Sequence, residues 1–135
     1  MTRNHPAVAG EVARHHIAEL LHRYVDIADR KDVEAAVELL GSARVRFPAG
    51  GYDAPADARE FFTNLWALPS AHRHDVTNLR VSPVEQHRWR AHAHYTRWIF
   101  EPEPVLHTLG EYTLVVDSGD WTFTELTVTR TWTRG

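Results

Sequence analysis

The sequence predicts an α+β fold in which helices pack on one face of a curved antiparallel sheet. Two observations carry this prediction. The first half of the chain has apolar residues at helical spacing, whereas the part after residue 71 contains four runs rich in Thr, Val, Trp and Tyr, separated by turn signals. A chain of 135 residues is long enough for one domain with its own core and too short for two, so we expect residues 1–135 to form a single domain.

The first half predicts three helices. Apolar side chains recur on one face over residues 12–28, and the charged run 29–32 interrupts that pattern. A second helix is expected over residues 33–40, with Asp32 as its N-cap and Gly41 as its end. Residues 56–66 have the apolar spacing of a third helix.

A short strand is predicted between the second and third helices, over residues 43–47, and the turn-rich stretch 48–55 is expected to be a loop. The second half predicts long antiparallel strands over residues 72–81, 88–100, 105–116 and 121–132. Ser82-Pro83 is expected to end the first of them. Such a sheet, curved against helices, would enclose a cone-shaped cavity that can hold a small ligand.

The composition excludes several classes of function. The formal net charge of −3 gives no reason to expect nucleic acid or an anionic membrane as a partner. Cysteine is absent, which excludes disulfides and thiolate catalysis. Residues 1–6 hold no apolar signal core, and no apolar run approaches the roughly 18 residues of a membrane span, so we expect a soluble, cytoplasmic protein.

Asp29 and His74 are the candidate catalytic residues. Asp29 lies on the flank of the apolar face where the first helix ends, whereas Asp26 falls nearly opposite that face. His74 opens a predicted strand, and a histidine with a carboxylate behind it is a general base near neutral pH. The alternative for Asp29 is a solvated residue paired with Arg30 or Lys31, and for His74 a satisfied or exposed strand histidine.

Metal binding has a weaker basis in the sequence. The pairs His72-x-His74 and His92-x-His94 have the spacing at which two strand histidines bind one ion, but no recognisable pattern supplies further ligands. We therefore expect no metal site and no cofactor. Because small Ala91 and Ala93 share a strand side with Tyr95, His92 and His94 are expected to face outward.

The side chains expected to bind substrate are large and mostly apolar. For each of them, plain core packing is the alternative interpretation. The candidates are Tyr24, Phe47, Phe62, Trp66, Tyr95, Tyr112, Leu126 and Val128. Tyr24 and Tyr95 are also candidate hydrogen-bond donors to a ligand oxygen.

Taken together, these elements resemble the SnoaL-like family of the nuclear transport factor 2-like superfamily, over nearly the whole chain. The resemblance rests on Ile17-x-x-Leu20-x-x-x-Tyr24-x-x-x-x-Asp29, Phe47-Pro48, His74-x-x-x-Asn78-Leu79, Gly110-x-Tyr112 and Gly119-Asp120-Trp121. It implies the cone-shaped fold of that superfamily, also described as a cystatin-like α+β barrel. It further implies a single SnoaL-like domain, no cofactor, and dimers or trimers formed through the sheet.

Within the superfamily the sequence is most similar to the branch that holds scytalone dehydratase and hexachlorocyclohexane dehydrochlorinase. Those enzymes use an aspartate at the end of the first helix and a histidine after the third, which Asp29 and His74 match. The dehydrochlorinase has a lysine where Tyr24 stands and an arginine where Leu126 stands. The loss of those cations argues against dehalogenation.

The resemblance implies a cofactor-independent lyase or isomerase, of the dehydratase or cyclase type. Asp29 and His74 would abstract a proton from carbon on a small, mostly apolar, polyketide-like substrate. Two alternatives belong to other classes. One is a non-catalytic module that binds a small ligand, and the other is the structural small subunit of a ring-hydroxylating dioxygenase.

Overall fold

The computed structural model describes residues 6–135, and the surroundings of side chains from Val8 onward. The expectation that the chain begins without a signal core falls mainly on residues 1–5, which lie outside this part. The helices are α1 (Pro6–Arg30), α2 (Val33–Leu40) and α3 (Ala58–Leu65), the last preceded by one 3₁₀ turn (Pro55–Asp57). The strands are β1 (Arg44–Phe47), β2 (Gly50–Tyr52), β3 (His72–Glu85), β4 (Arg88–Phe100), β5 (Pro104–Asp117) and β6 (Thr122–Thr133).

The six strands form one curved, open sheet on which the three helices pack, so the predicted α+β fold is confirmed. Its strand order is β2-β1-β6-β5-β4-β3, and the long strands β3 to β6 pair antiparallel with their sequence neighbours. The sheet is mixed, because β1 pairs parallel with β6. None of the helices described in residues 6–135 is both long and apolar enough to cross a membrane.

Two local predictions were wrong. The stretch expected to be a loop contains β2, which pairs with β1 through Gly50 and Gly51. These glycines have no side chains whose alternation would indicate a strand, and a Cβ at Gly51 would overlap the carbonyl of Val45. The predicted stop at Ser82-Pro83 also fails, because β3 continues to Glu85. A proline is tolerated there because β3 is an edge strand, where one row of N–H groups has no partner strand.

The end of α1 is a Schellman motif, which determines where the following side chains point. The N–H of Lys31 donates to the carbonyl of Ala28, and the N–H of Asp32 donates to that of Ile27. Lys31 takes the left-handed conformation with φ of 55°. Asp32 then caps α2, as predicted, by accepting a hydrogen bond from the Ala35 N–H at 3.1 Å. This tight exit leaves Asp29 in the last turn of α1, facing the start of β3.

The core lies between the inner face of the sheet and the helices. Every second residue of β4 and β5 points inward, so Ala91, Ala93, Tyr112 and Leu114 are almost fully buried. The same parity places His92 and His94 on the outer face, as predicted. A cavity opens between the sheet and the helices, and side chains from β1 and from all four long strands line it.

Candidate active site

The start of β3 brings His74 against Asp29 of α1. The carboxylate oxygen Oδ1 of Asp29 accepts two hydrogen bonds from His74, one from its backbone N–H at 2.9 Å and one from its ring Nδ1 at 2.8 Å. Because a carboxylate only accepts, the neutral imidazole carries its proton on Nδ1 and leaves Nε2 with a free lone pair. A carboxylate near a helix C-terminus opposes the helix dipole, and these two donors stabilise it there.

His74 lies in the wall of a cavity of about 350 Å³. Its side chain is only 9% exposed, and that of Asp29 is 26% exposed. Nε2 of His74 has no hydrogen-bond partner among the described residues, and no buried side-chain nitrogen or oxygen there lacks one. Nε2 therefore reaches the open space of the cavity, where a ligand atom can contact it.

His72, two residues before His74, anchors the same strand to α1. Its Nε2 contacts the carbonyl of Ala28 at 2.5 Å, and its Nδ1 accepts a hydrogen bond from Nε of Arg97 at 3.1 Å. A carbonyl only accepts, so Nε2 is the protonated nitrogen and the ring is neutral. Burial lowers the pKa of His72 to about 4, which keeps it in this form near neutral pH. His72 is thus a structural residue beside the catalytic candidate.

Two tyrosine hydroxyls are available on the cavity wall. Tyr24 and Tyr112 both line it, their rings meet edge to face, and no described group hydrogen-bonds either hydroxyl. Burial, followed by the effects of neighbouring groups including Asp29, raises the pKa of each well above the usual value. Both therefore stay protonated and can donate a hydrogen bond to a ligand oxygen.

Tyr95, the other predicted donor, uses its hydroxyl within the protein. The O–H donates to the carbonyl of Thr129 at 3.2 Å, and the ring stacks on Tyr112 with centroids 4.5 Å apart. To reach β6 the ring crosses β5 above Gly110, where a Cβ would overlap both the Tyr95 ring and the Thr129 carbonyl. Tyr112, rather than Tyr95, is therefore available beside Tyr24 as a donor to a ligand.

The structure places most of the predicted site residues around one cavity. The residues predicted to bind substrate that line it are Tyr24, Phe47, Trp66, Tyr95, Tyr112 and Val128. Phe62 and Leu126 lie elsewhere: both have no exposed surface and belong to the core. Phe62 packs against Trp66, with ring centroids 5.1 Å apart. Helical spacing alone therefore could not distinguish a residue that lines the cavity from one that is buried in the core.

Sequence reasoning did not identify the polar residues at one end of the cavity. Arg97 and Arg130 line it together with His72 and Thr108. Arg97 is half-buried and hydrogen-bonds His72. Strand parity gave a usable signal, since Arg97 shares a face with Tyr95. Arg130 likewise shares a face of β6 with Val128, because the register shift between β5 and β6 lies beyond it.

The site also depends on Lys31, which the alternative interpretation of Asp29 pairs with that carboxylate. Its ammonium group instead hydrogen-bonds the backbone carbonyls of Leu68 and Ser70, the latter at 2.6 Å. These contacts hold the segment between α3 and β3 against the end of α1. Leu68 lines the cavity, so this contact also fixes part of its wall.

A family model supplies the classification of the chain. The model that matches is described as the SnoaL-like domain, and it covers residues 12–127. The chain belongs to the SnoaL-like family. The resemblance in the sequence is therefore confirmed, together with the nuclear transport factor 2-like superfamily that it implied. No curated protein matches the chain.

Solved structures with the same fold have diverse functions. A proposed scytalone dehydratase from Novosphingobium aromaticivorans superposes with a TM-score of 0.76 at 16% identity, covering 91% of this chain and 87% of that one. A hexachlorocyclohexane dehydrochlorinase from Novosphingobium barchaimii gives 0.76 at 19% identity, covering 91% and 89%. The β subunit of a proposed aromatic-ring-hydroxylating dioxygenase from N. aromaticivorans gives 0.77 at 17%, covering 93% and 94%. At these identities the similarity shows the fold alone.

The outer face of the SnoaL-like sheet holds one group of side chains that could bind a metal ion. Potential ligand atoms of His92, His94 and Glu111 lie within 4.8 Å of one another among the described residues. The sequence offered the histidine pair but not Glu111, which comes from the neighbouring strand opposite His94. His92 Nε2 already contacts the Glu111 carboxylate at 2.6 Å, so these groups also satisfy each other. The expectation of no metal site stays a prediction.

Proposed function

We propose that this SnoaL-like protein is a cofactor-independent lyase or isomerase that removes a proton from carbon. The observation that carries the proposal is the Asp29–His74 pair, with Nε2 of His74 facing the cavity. A general base has to lie within hydrogen-bond reach of the proton it removes, and a ligand in this cavity meets that condition. Dehydration, double-bond migration and ring closure all begin with this step.

In the proposed mechanism, neutral His74 accepts the proton on Nε2 from a carbon that a neighbouring carbonyl makes acidic. The ring then carries a positive charge, and Asp29 stabilises it through the 2.8 Å contact to Nδ1. The second hydrogen bond, from the His74 backbone, fixes the carboxylate so that it does not rotate away. A base placed in this way contributes about 10²–10⁴-fold to the rate.

The negative charge that develops on the substrate needs hydrogen-bond donors. We assign this role to the hydroxyls of Tyr24 and Tyr112, which are open to the cavity and remain protonated because burial raises the pKa of each. Phe47, Trp66 and Val128 supply apolar walls for the rest of the substrate. The proposed substrate is therefore a small carbonyl compound with a mostly apolar skeleton.

The test is proton exchange at carbon in D₂O, followed by NMR over a panel of small ketones and β-hydroxycarbonyl compounds. A compound that loses its α-proton signal with the wild-type protein is then measured with His74→Gln and Asp29→Asn. We expect a loss of about 100-fold or more for His74→Gln. His92→Gln, on the outer face, is the matched control and should keep the wild-type rate. Equal exchange in His74→Gln and the wild type would refute the proposal.

A structural subunit is the second candidate, and the dioxygenase β subunit among the similar structures supports it. This role requires a stable complex with a large iron-containing chain. Affinity purification of the tagged protein from its native cells, with iron analysis of the eluate, separates the two candidates. An iron-containing partner together with no exchange activity would favour the structural role.

A further inference from the structure

Two arginines line the cavity without a carboxylate partner. Arg97, which is partly buried, lies directly opposite His74 in the register of β3 and β4, and Arg130, an exposed residue of β6, also lines the cavity. Neither guanidinium has a carboxylate oxygen within 4.0 Å among the described residues, whereas five of the other eleven arginines there form such ion pairs. The described cavity lining contains no Asp or Glu. This end of the cavity therefore has an uncompensated positive charge.

The hydrogen bonds of Arg97 do not neutralise it. Its Nε donates to Nδ1 of His72 at 3.1 Å, and one terminal nitrogen contacts Nδ1 of His107 at 3.3 Å. Both partners are imidazoles, and burial lowers the pKa of each, so they favour the neutral form beside the arginine. Removing the charge of the partly buried Arg97 from water is costly unless an opposite charge accompanies it. A fold that retains this arrangement is suited to an anionic ligand.

We propose that the cavity binds a small organic carboxylate, whose carboxylate group lies between Arg97 and Arg130. The proposal rests on the proposed function and names the substrate class for the same site. A guanidinium offers paired N–H donors that match the two oxygens of a carboxylate. The apolar side chains of Phe47 and Trp66, at the same cavity, would contact the carbon skeleton.

This position of the carboxylate has a consequence for the chemistry. Because Arg97 is the cross-strand neighbour of His74, an anchored carboxylate would direct the adjoining carbon atoms toward Nε2 of His74. A free carboxylate makes further negative charge on neighbouring atoms unfavourable. The two guanidiniums would offset that charge, so proton removal from such an acid becomes feasible.

Calorimetric titration with two matched probes, benzoate and its neutral analogue benzamide, tests the inference. We expect the wild-type protein to bind benzoate at least about 10-fold more tightly than benzamide, since hydrogen bonds to a charged group contribute about 1.5–3 kcal/mol. Arg130→Gln should weaken benzoate about 10-fold and leave benzamide unchanged. Arg130 makes no described side-chain hydrogen bond, so this variant should fold normally, and Arg97→Gln should act in the same direction. Arg90→Gln, exposed on another part of the sheet, is the control and should bind like the wild type.

The same titration separates this inference from the proposed reaction. His74→Gln should retain benzoate binding even though it loses proton exchange, because the base does not hold the carboxylate. Equal affinity for benzoate and benzamide, or no binding of benzoate to the wild type, would overturn the carboxylate assignment. The proton-exchange assay would still test the role of His74 independently. If sodium bromide displaced benzoate at the same concentration as acetate, the site would be one for inorganic anions and the assignment would be wrong.

Discussion

Protonation of His72 should destabilise the fold at mildly acidic pH. In the folded protein His72 is 7% exposed and its ring is neutral, with the Nδ1 lone pair accepting a hydrogen bond from Arg97. A proton on Nδ1 would remove that acceptor and place two N–H donors face to face. Burial is the main cause that lowers the pKa of His72 to about 4, whereas an unfolded histidine titrates near its ordinary value of 6.5.

The sign and size of the effect follow from these two values. Between pH 6.5 and about 4 the unfolded chain binds a proton at residue 72 and the folded chain does not, so the free energy of unfolding falls as the pH falls. The full difference amounts to about 3 kcal/mol, complete near pH 4, and about 2 kcal/mol of it is lost by pH 5. Above pH 6.5 the contribution of His72 is constant.

The assay is urea unfolding followed by tryptophan fluorescence at pH 7.5 and pH 5.0. His72→Gln is the informative variant, because the amide can donate to Ala28 and accept from Arg97 but does not titrate. Between the two pH values the wild type should lose about 2 kcal/mol more unfolding free energy than His72→Gln. His22→Gln, at an exposed position of α1, should follow the wild type. If the pH dependence of His72→Gln runs parallel to that of the wild type, His72 is not the neutral, buried group described above.

Three further variants test the surroundings of the site. Gly110→Ala should cost about 1–3 kcal/mol of unfolding free energy in urea titration, because the new Cβ overlaps the Tyr95 ring; unchanged stability would contradict the crossing of that ring over β5. Tyr95→Phe should cost about 1 kcal/mol, measured in the same way, because the carbonyl of Thr129 loses its donor; a neutral result would mean that this hydrogen bond contributes nothing. Lys31→Met should speed amide hydrogen exchange in residues 66–71, measured by mass spectrometry, while β5 stays protected; unchanged exchange would show that the Lys31 contacts do not hold that segment.

The architecture was predictable from the sequence because its signals are local. Helical spacing gives α1 and α2, and the composition of the second half gives four strands whose predicted positions overlap those observed. The wrong predictions fall where the local signal is silent. Gly50 and Gly51 form a strand with no side chains to alternate, and Pro83 lies on an edge strand, where a proline is tolerated. Both cases depend on the neighbouring strands, which a single segment does not reveal.

Only part of the candidate site was predictable from the sequence. Asp29 and His74 could be proposed as a pair because each has a family position, and the structure brings them into contact. Arg97 and Arg130 have no such signal. Alternation puts them on the same strand faces as Tyr95 and Val128, because the register shifts come after Arg97 and Arg130 along their strands. That the two arginines line one cavity with His74 depends on the pairing of β3 to β6, which the pattern of a single strand does not reveal.

The way α1 ends explains why the two histidines at the start of β3 carry their protons on different ring nitrogens. Its last turn presents two neighbouring acceptors to the strand, the backbone carbonyl of Ala28 and the side-chain carboxylate of Asp29. His72 and His74 alternate with the strand period, so both point toward this turn and each meets one acceptor. His72 meets a neutral carbonyl and, because its other nitrogen accepts from Arg97, is held in one tautomer with no free lone pair. His74 meets a carboxylate, which stabilises the charged ring, and keeps its Nε2 lone pair in the cavity. One helix terminus thus anchors the strand through the first histidine and holds the second in the tautomer that the proposed base requires.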